Sequence, residues 1–248
     1  MGKLLLAVVV LLAVVAGGLA VVSVAFDRTA VKQHAVAGPL RVIVVKSGAG
    51  DVSLVPAAGR LEVRETQHYV VTKPKLDLTL ATGVLTLSSD CATPLLTCYA
   101  DLRVPVPSGA EVTVDASSGD VGATAVAART ARLHSDSGDV RLGLVGHQQV
   151  ARAQTNSGDV DVAVDDARDI DAESNSGDVT VAARAAPHRV VARTDSGSVT
   201  ITVPRGTYAV DAKTNSGNVK VDGITIDDHA PNSLEANTSS GDVTVRAG

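Results

Sequence analysis

The feature that most constrains the fold is a short phrase centred on glycine that returns about every twenty residues. It reads SSGDV, DSGDV, NSGDV or a close variant, and successive central glycines lie 19, 20, 19, 20, 20 and 24 residues apart. A fixed period of this size is typical of solenoids, in which each repeat is one coil stacked on its neighbours. The central glycines are Gly119, Gly138, Gly158, Gly177, Gly197, Gly217 and Gly241.

Apolar residues alternate with polar ones on both sides of each glycine. In every repeat the residues two and four positions after the glycine, and those five and seven positions before it, are Val, Ile, Leu or Ala. A period of two with one apolar face predicts a β-strand on each side of the turn. We therefore predict an all-β parallel β-solenoid, similar to a single-stranded β-helix, with coils of about 20 residues. Val140, Val160 and Val179 should be neighbours in one interior row.

The repeated turn has a structural explanation. Its glycine can adopt the positive φ that a sharp corner requires and that other residues resist. The Asn or Asp two positions earlier can hydrogen-bond the turn backbone with its side chain. We predict that all seven glycines are structural turn residues, so bending the chain is a sufficient reason for the repetition.

The strictness of the repeat divides the chain. Residues 111–248 carry the regular coils, whereas residues 38–110 alternate with irregular turns and are interpreted as degenerate coils and a cap of the same domain. Residues 27–37 are predicted to be a linker. The last coil ends without a polar capping element, and because exposed strand edges invite pairing, we predict self-association through this C-terminal coil.

The N-terminus predicts the compartment. Residues 4–26 contain no charged side chain and consist mostly of Leu, Val and Ala, which is long enough for a membrane-spanning helix. A cleaved signal peptide is the alternative, with Ser23 and Ala25 before the cut. Lys3 favours a cytoplasmic N-terminus. Both interpretations place the chain from Asp27 outside the cytoplasm, either as a single-pass membrane protein or as a secreted one.

The chain has two cysteines, Cys91 and Cys98. Outside the cytoplasm, this spacing predicts a disulfide that closes a small loop. A two-cysteine metal site would need further ligands, and redox-active thiols usually have a closer spacing.

Two phrases resemble a known family. The stretches LRVPVPSGAEVTVDASSGDV and ITVPRGTYAVDAKTNSGNVKV are similar to the bacterial putative adhesins with β-strand repeats, a family of unknown function, over about residues 38–248. The resemblance implies a β-helix-like fold displayed at the cell envelope. It supplies no catalytic residues.

A row of acidic residues follows the turn glycines. Carboxylates stacked at about 4.8 Å repel one another, and Ca²⁺ would relieve that repulsion. The rival interpretation is a solvated turn in which each Asp accepts a backbone N–H. The metal candidates are Asp120, Asp139, Asp159 and Asp178.

Composition argues against several function classes. With 27 acidic and 22 basic residues and no basic stripe, we predict no nucleic-acid partner. A glycan-active β-helix enzyme would need one distinctive coil with acid, base and aromatic side chains, but every coil offers nearly the same set. We predict no cofactor and a non-catalytic adhesin or envelope scaffold whose partner is unknown, with a Ca²⁺-binding scaffold and a glycan-active enzyme as the alternatives. The loop at 227–232 breaks the period and is the first place to seek recognition.

Overall fold

The computed structural model describes residues 27–92 and 97–248. All regular structure in these ranges is β-strand: β1 (Arg28–Val36), β2 (Val42–Ser47), β3 (Val52–Pro56), β4 (Leu61–Tyr69), β5 (Lys75–Ala81), β6 (Val84–Asp90), β7 (Cys98–Val106), β8 (Glu111–Ala116), β9 (Val121–Val126), β10 (Thr130–Ser137), β11 (Val140–Ser157), β12 (Val160–Ser176), β13 (Val179–Ala183), β14 (Arg189–Ser196), β15 (Val199–Val203), β16 (Thr207–Ser216), β17 (Val219–Asp222), β18 (Thr225–Ile226), β19 (Ser233–Ser240) and β20 (Val243–Ala247). The predicted all-β class is confirmed. The membrane anchor or signal predicted for residues 1–26 lies outside the described residues.

Equivalent strands of successive coils pair in parallel and in register. Val140 pairs with Val160, and Val160 with Val179, and all three are fully buried. The predicted interior row is therefore confirmed. We call the strands before each glycine turn the pre-turn sheet and those after it the post-turn sheet. β11 and β12 run without a break around the far corner and belong to both.

The core lies between the two sheets and is built almost wholly from Val, Ala, Leu and Ile. Ala151, Ala153 and Ala172 on the pre-turn side are fully buried, as are Val160 and Val179 on the post-turn side. Small side chains on one face allow the other sheet to approach closely. Each buried Val contributes about 1.5–3 kcal/mol, so one coil depends on its neighbours for stability.

The order of the coils in space differs from their order in the chain. The last coil, 233–247, lies between coils 189–203 and 207–222, because β19 pairs with both β14 and β16, and β20 with both β15 and β17. The first coil, 42–56, is likewise placed between 84–106 and 111–126. The free edge predicted on the C-terminal coil is thus wrong: both of its edges are paired, and the chain end is interior to the stack.

One end of the stack is closed by antiparallel strands, and we call it the capped end. β4 pairs antiparallel with β7, β1 with β4, and β5 with β6. The linker predicted at 27–37 is therefore mostly strand β1, because its backbone pairs along the whole of β4. The Cys91–Cys98 disulfide, with a Cα–Cα distance of 5.9 Å, links the residue after β6 to the first residue of β7.

The other end of the stack is the coil 207–222, which we call the open end. β17 pairs only with β20, and residues 209–216 of β16 pair only with β19 among the described residues. The two-residue strand β18 pairs with Thr207 and Tyr208 alone. The loop at 227–232 then carries the chain back past this coil to β19.

Candidate functional site

The glycine turns stack so closely that a side chain cannot be accommodated. All seven glycines have φ between +107° and +152°. A Cβ on Gly177 would lie 2.0 Å from the carbonyl oxygen of Gly158, and one on Gly158 would lie 2.3 Å from that of Gly138. Glycine is therefore required twice, for the left-handed backbone and for the contact between layers.

Gly50 extends this column into the region that the sequence described as degenerate. It has φ +101°, and the next glycine, Gly119, would carry its Cβ only 2.5 Å from the Gly50 carbonyl oxygen. The phrase SGAGDV at 47–52 contains this turn. The apolar columns match the repeat without an insertion, but Gly48 and Ala49 replace the Asn or Asp and the Ser of the usual phrase, and the next turn glycine follows only at Gly119.

The carboxylates after the glycines form a continuous hydrogen-bonded ladder. The backbone N–H of Asp139 donates to Asp120 Oδ1 over 3.0 Å, that of Asp159 to Asp139 Oδ1 over 2.9 Å, and that of Asp178 to Asp159 Oδ1 over 2.8 Å. The ladder extends to Asp51 at one end. Each carboxylate thereby satisfies a turn N–H that no strand partner could reach.

The ladder explains the acidic row without a cation. One oxygen of each candidate metal ligand is already an acceptor, and the guanidinium of Arg141 lies 2.5 Å from Asp139 Oδ2 and 3.4 Å from Asp120 Oδ2. Partial burial tends to lower the pKa of Arg141, but Asp139 and Asp120 outweigh it and raise the pKa. In residues 27–92 and 97–248, no group of three or more His, Cys, Asp or Glu is placed to hold a metal ion.

Buried hydroxyl groups form a second column that sequence reasoning missed. The side chain three positions before each glycine is Ser or Thr in six of the coils, and it donates to the glycine carbonyl of the adjacent coil over 2.8–2.9 Å. These residues are Ser135, Thr155, Ser174, Thr194, Thr238 and Thr214. The signal was present in the sequence, since a polar residue recurred at an inward position of the alternation.

The amide side chains of Asn156 and Asn175, two positions before their glycines, bond to the adjacent coil, and not to the backbone of their own turn as predicted. Asn156 Nδ2 donates to Asp136 Oδ1 over 3.0 Å, and Asn175 Nδ2 donates to Asn156 Oδ1 over 3.3 Å. Side chains of the turn are thus engaged in contacts between coils, and the repeated phrase acts as a structural spine.

The outer face of the pre-turn sheet carries rows of charged side chains. The guanidinium of Arg152 binds Asp171 Oδ2 at 2.5 and 2.9 Å, and that of Arg193 binds Glu235 at 2.6 Å and Glu173 at 3.4 Å. The hydrogen bond to Glu235 raises the pKa of Arg193 against an opposing effect of burial. These pairs join neighbouring coils, so the charges are held at the spacing of the strands, about 4.8 Å.

The outer side of the post-turn sheet has a groove of about 580 Å³ near the far corner. Small residues of four coils line it, among them Gly143, Ala163 and Ala182, and Arg184 pairs with Asp165 at its rim over 2.9 Å. None of the described buried polar atoms that lack a partner lines the groove. Its chemistry therefore does not indicate a particular ligand.

The dispersed histidines and tyrosines do not gather into one site. His147 pairs with Asp166 over 2.6 Å, whereas His188 lies 3.7 Å from Asp169 in another coil. Tyr208 is buried at the open end, and Tyr99 stacks on a histidine of the cap. At the cap, His68 stacks on Tyr99 and its Nε2 lies 3.3 Å from Asp101 Oδ2, so one imidazole, one phenol and one carboxylate meet there. The regular coils 111–248 contain no such set.

The loop at 227–232 is organised locally. Asp227 Oδ1 accepts the backbone N–H of His229 over 2.9 Å, and the imidazole of His229 is almost fully exposed. Among the described residues, the loop places no other functional side chain beside His229. The loop connects the open end to β19.

The stacked parallel coils and their glycine–aspartate spine define a repeat protein with a solenoid-like all-β fold. The chain belongs to the Toastrack DUF4097 family, which matches residues 40–247. This confirms the resemblance to the repeat-containing adhesin family.

Several solved structures resemble the chain in fold. A putative cell adhesion protein from Clostridium sporogenes is 12% identical, with a TM-score of 0.44, covering 89% of this chain and 100% of that one. A putative adhesin from Bacteroides fragilis is 14% identical, with a TM-score of 0.48 and coverages of 89% and 97%. A putative lipid binding protein from Parabacteroides distasonis is 10% identical, with a TM-score of 0.47 and the same coverages.

No curated protein matches the chain. Within the part of the chain that the structure describes, no helix is long and apolar enough to cross a bilayer.

Proposed function

We propose that the protein is a non-catalytic, extracytoplasmic scaffold that contacts an envelope or surface partner through the outer face of its pre-turn sheet. The observation that carries this proposal is the set of charged rows held in place by ion pairs between coils, with Arg193 joined to both Glu173 and Glu235. Fixed charges at regular spacing allow many weak contacts to add without a large loss of side-chain entropy.

The hydrogen bonds made by the turn side chains favour a scaffold over an enzyme. Their carboxylates accept backbone N–H groups, and their hydroxyl groups donate to glycine carbonyls. Groups committed to structure in this way are poorly placed to act as acid, base or nucleophile. The alternative of a Ca²⁺-dependent scaffold is not favoured, because the hydrogen bonds of the ladder already offset the repulsion between the carboxylates.

The location is proposed from residues 4–26, which we infer to be a membrane anchor with the repeats outside the cytoplasm. Protease added to spheroplasts expressing the full chain should digest the repeats. Digestion only after lysis would reject the location. Intact-mass measurement of the recovered protein separates an anchor from a cleaved signal.

Partner binding is tested on cells that display the full chain. Arg132 is exposed on the pre-turn face and pairs with no acid among the described residues, so Arg132→Glu should weaken adhesion to immobilised envelope polysaccharides or proteins. The matched control is Arg246→Glu on the post-turn face, which should leave adhesion unchanged. Equal effects of both variants would contradict a role for the pre-turn face.

A further inference from the structure

We propose that two copies of the chain associate end to end through the open end, with β16 and β17 each pairing antiparallel to their counterparts across a two-fold axis. The proposal rests on the coil 207–222 alone and is independent of the surface partner proposed above.

The open end leaves part of the apolar interior uncovered. Val219 is 46% exposed, whereas Val199 and Val243, at the same position in the two preceding layers, are fully buried. Val210 and Ala212 of β16 are likewise only partly buried. Another apolar layer placed on this end would bury them as the interior rows of the stack are buried.

The same coil presents free backbone edges. In a parallel ladder, every second residue of a strand bonds to the same neighbouring strand. The N–H of Ala209 donates to the carbonyl oxygen of Asn232, on the side of β19, so the odd-numbered residues of β16 bond in that direction. The backbone groups of Val210, Ala212 and Thr214 therefore point away from the stack. The strand β18 covers only the first two residues of β16, so this stretch of edge is unpaired among the described residues. Unpaired edges of this kind pair with another strand when one is available.

The charges on these strands are self-complementary in an antiparallel arrangement. With Ala212 of two copies facing each other, Asp211 of one copy lies opposite Lys213 of the other, and the converse pair forms at the same time. The register also places Val210 opposite Thr214, so that the outward-pointing backbone groups meet each other over residues 210–214. Beyond Thr214 the partner strand must bend away, because β18 occupies the edge beside Thr207 and Tyr208. On β17, antiparallel pairing centred on Val221 brings Lys220 opposite Asp222. Opposite charges directly across a strand pair are stabilising.

The capped end differs from the open end in its interior. Its outermost strands β1 and β5 leave Val31 49% and Leu80 37% exposed, but behind them Val63 is fully buried and the buried Glu65 is held by His34 and Gln67. One open end per chain gives a closed two-fold dimer, whereas two equivalent ends would give an open filament.

The test compares charge variants of the full chain in detergent by light scattering over a range of concentrations. Asp211→Lys places two lysines opposite each other twice and should raise the dimer dissociation constant roughly tenfold. The double variant Asp211→Lys with Lys213→Asp restores opposite charges and should restore the dimer. Because these side chains are 51% and 72% exposed, the variants should fold normally.

The matched control is Asp77→Lys at the capped end. Asp77 pairs with Lys75 two residues away on an edge strand, as Asp211 pairs with Lys213, and it should leave the dimer unchanged. All variants keep residues 1–26, so any association through that segment is common to them. A monomer at every concentration, equal effects of Asp211→Lys and Asp77→Lys, or failure of the double variant to restore the dimer would overturn the proposal.

Discussion

Val63 at the capped end is fully buried, whereas Val219 at the open end is 46% exposed, although both belong to strands of the same post-turn sheet. At the capped end, antiparallel strands extend the sheets beyond the coil 84–106, and a disulfide lies beside them. The strand β4 that carries Val63 therefore lies between β1 and β7, whereas β17 at the open end pairs on one side only. The difference teaches that a stack of equivalent coils obtains its stability from neighbours, so the same residue type contributes unequally at the two ends.

The largest expected effect comes from a methyl group on the glycine spine. Gly50→Ala would bring a Cβ to 2.4 Å from Ala100 oxygen, between layers that cannot separate without breaking the cap. Gly217→Ala makes a similar clash with Gly241, but its coil can move outward. Overpacking and a positive φ together should lower the free energy of unfolding by about 3 kcal/mol for Gly50→Ala and by about half of that for Gly217→Ala. Urea unfolding measures both values.

Gly59→Ala is the control for these glycine variants. Gly59 has φ +82°, and no atom lies within 4 Å of the position of a Cβ. Only the unfavourable positive φ should then lower the free energy of unfolding, by about 1–2 kcal/mol. A loss for Gly217→Ala as large as that for Gly50→Ala would show that the open end is held as firmly as the cap.

A smaller effect is expected from shortening one valine at each end. Val63→Ala removes fully buried methyl groups and should lower the free energy of unfolding by about 2 kcal/mol. Val219→Ala should cost at most about 0.5 kcal/mol in the monomer, because its side chain is half exposed. Hydrogen exchange resolves the local change at each end. If Val219→Ala becomes more costly as protein concentration rises, the open end is covered by a second copy.

The last expected effect is a dependence of stability on alkaline pH. Burial raises the pKa of the Tyr208 phenol at the open end, and its hydroxyl donates to Pro204 oxygen over 2.9 Å. The folded state therefore prefers the neutral phenol, and this preference is lost as the pH rises above the unfolded pKa of about 10. Tyr208→Phe should be less stable by about 1 kcal/mol at pH 8, and the gap should narrow above pH 10 in urea titrations.

Tyr99 provides the corresponding group at the capped end. Burial raises the pKa of Tyr99, and the nearby Asp101 adds to the rise. Tyr99→Phe should therefore also reduce the alkaline loss of stability. A constant difference between the wild type and both variants from pH 8 to 11 would refute the assignment of this loss to the two phenols.

The middle of the fold could be predicted from the sequence because its signals are local and repeated. The interior row of Val140, Val160 and Val179 follows from a fixed period and a fixed alternation. The Asp spine was also visible, but the sequence left two interpretations of it open. Only the geometry shows that the N–H of each residue after a glycine meets the carboxylate one layer away.

The capped end could not be predicted to the same extent. β1 contains Lys32 and His34 among its apolar residues, so the alternation that marks a strand is weak there. Its pairing with β4 is antiparallel and does not follow the period of the coils. The buried hydroxyl column, by contrast, was readable, since Thr155 and Ser174 recur at an inward position.

The periodic pattern specified which residues face inward, where each coil turns and which side chains share a column. Only the tertiary structure decided which coils are neighbours. The physical reason is that equivalent coils present the same edges and the same apolar rows, so any coil can pair with any other. Residues 204–206 pass over one layer, and the segment after β17 returns the chain so that the last coil occupies that layer between two earlier ones.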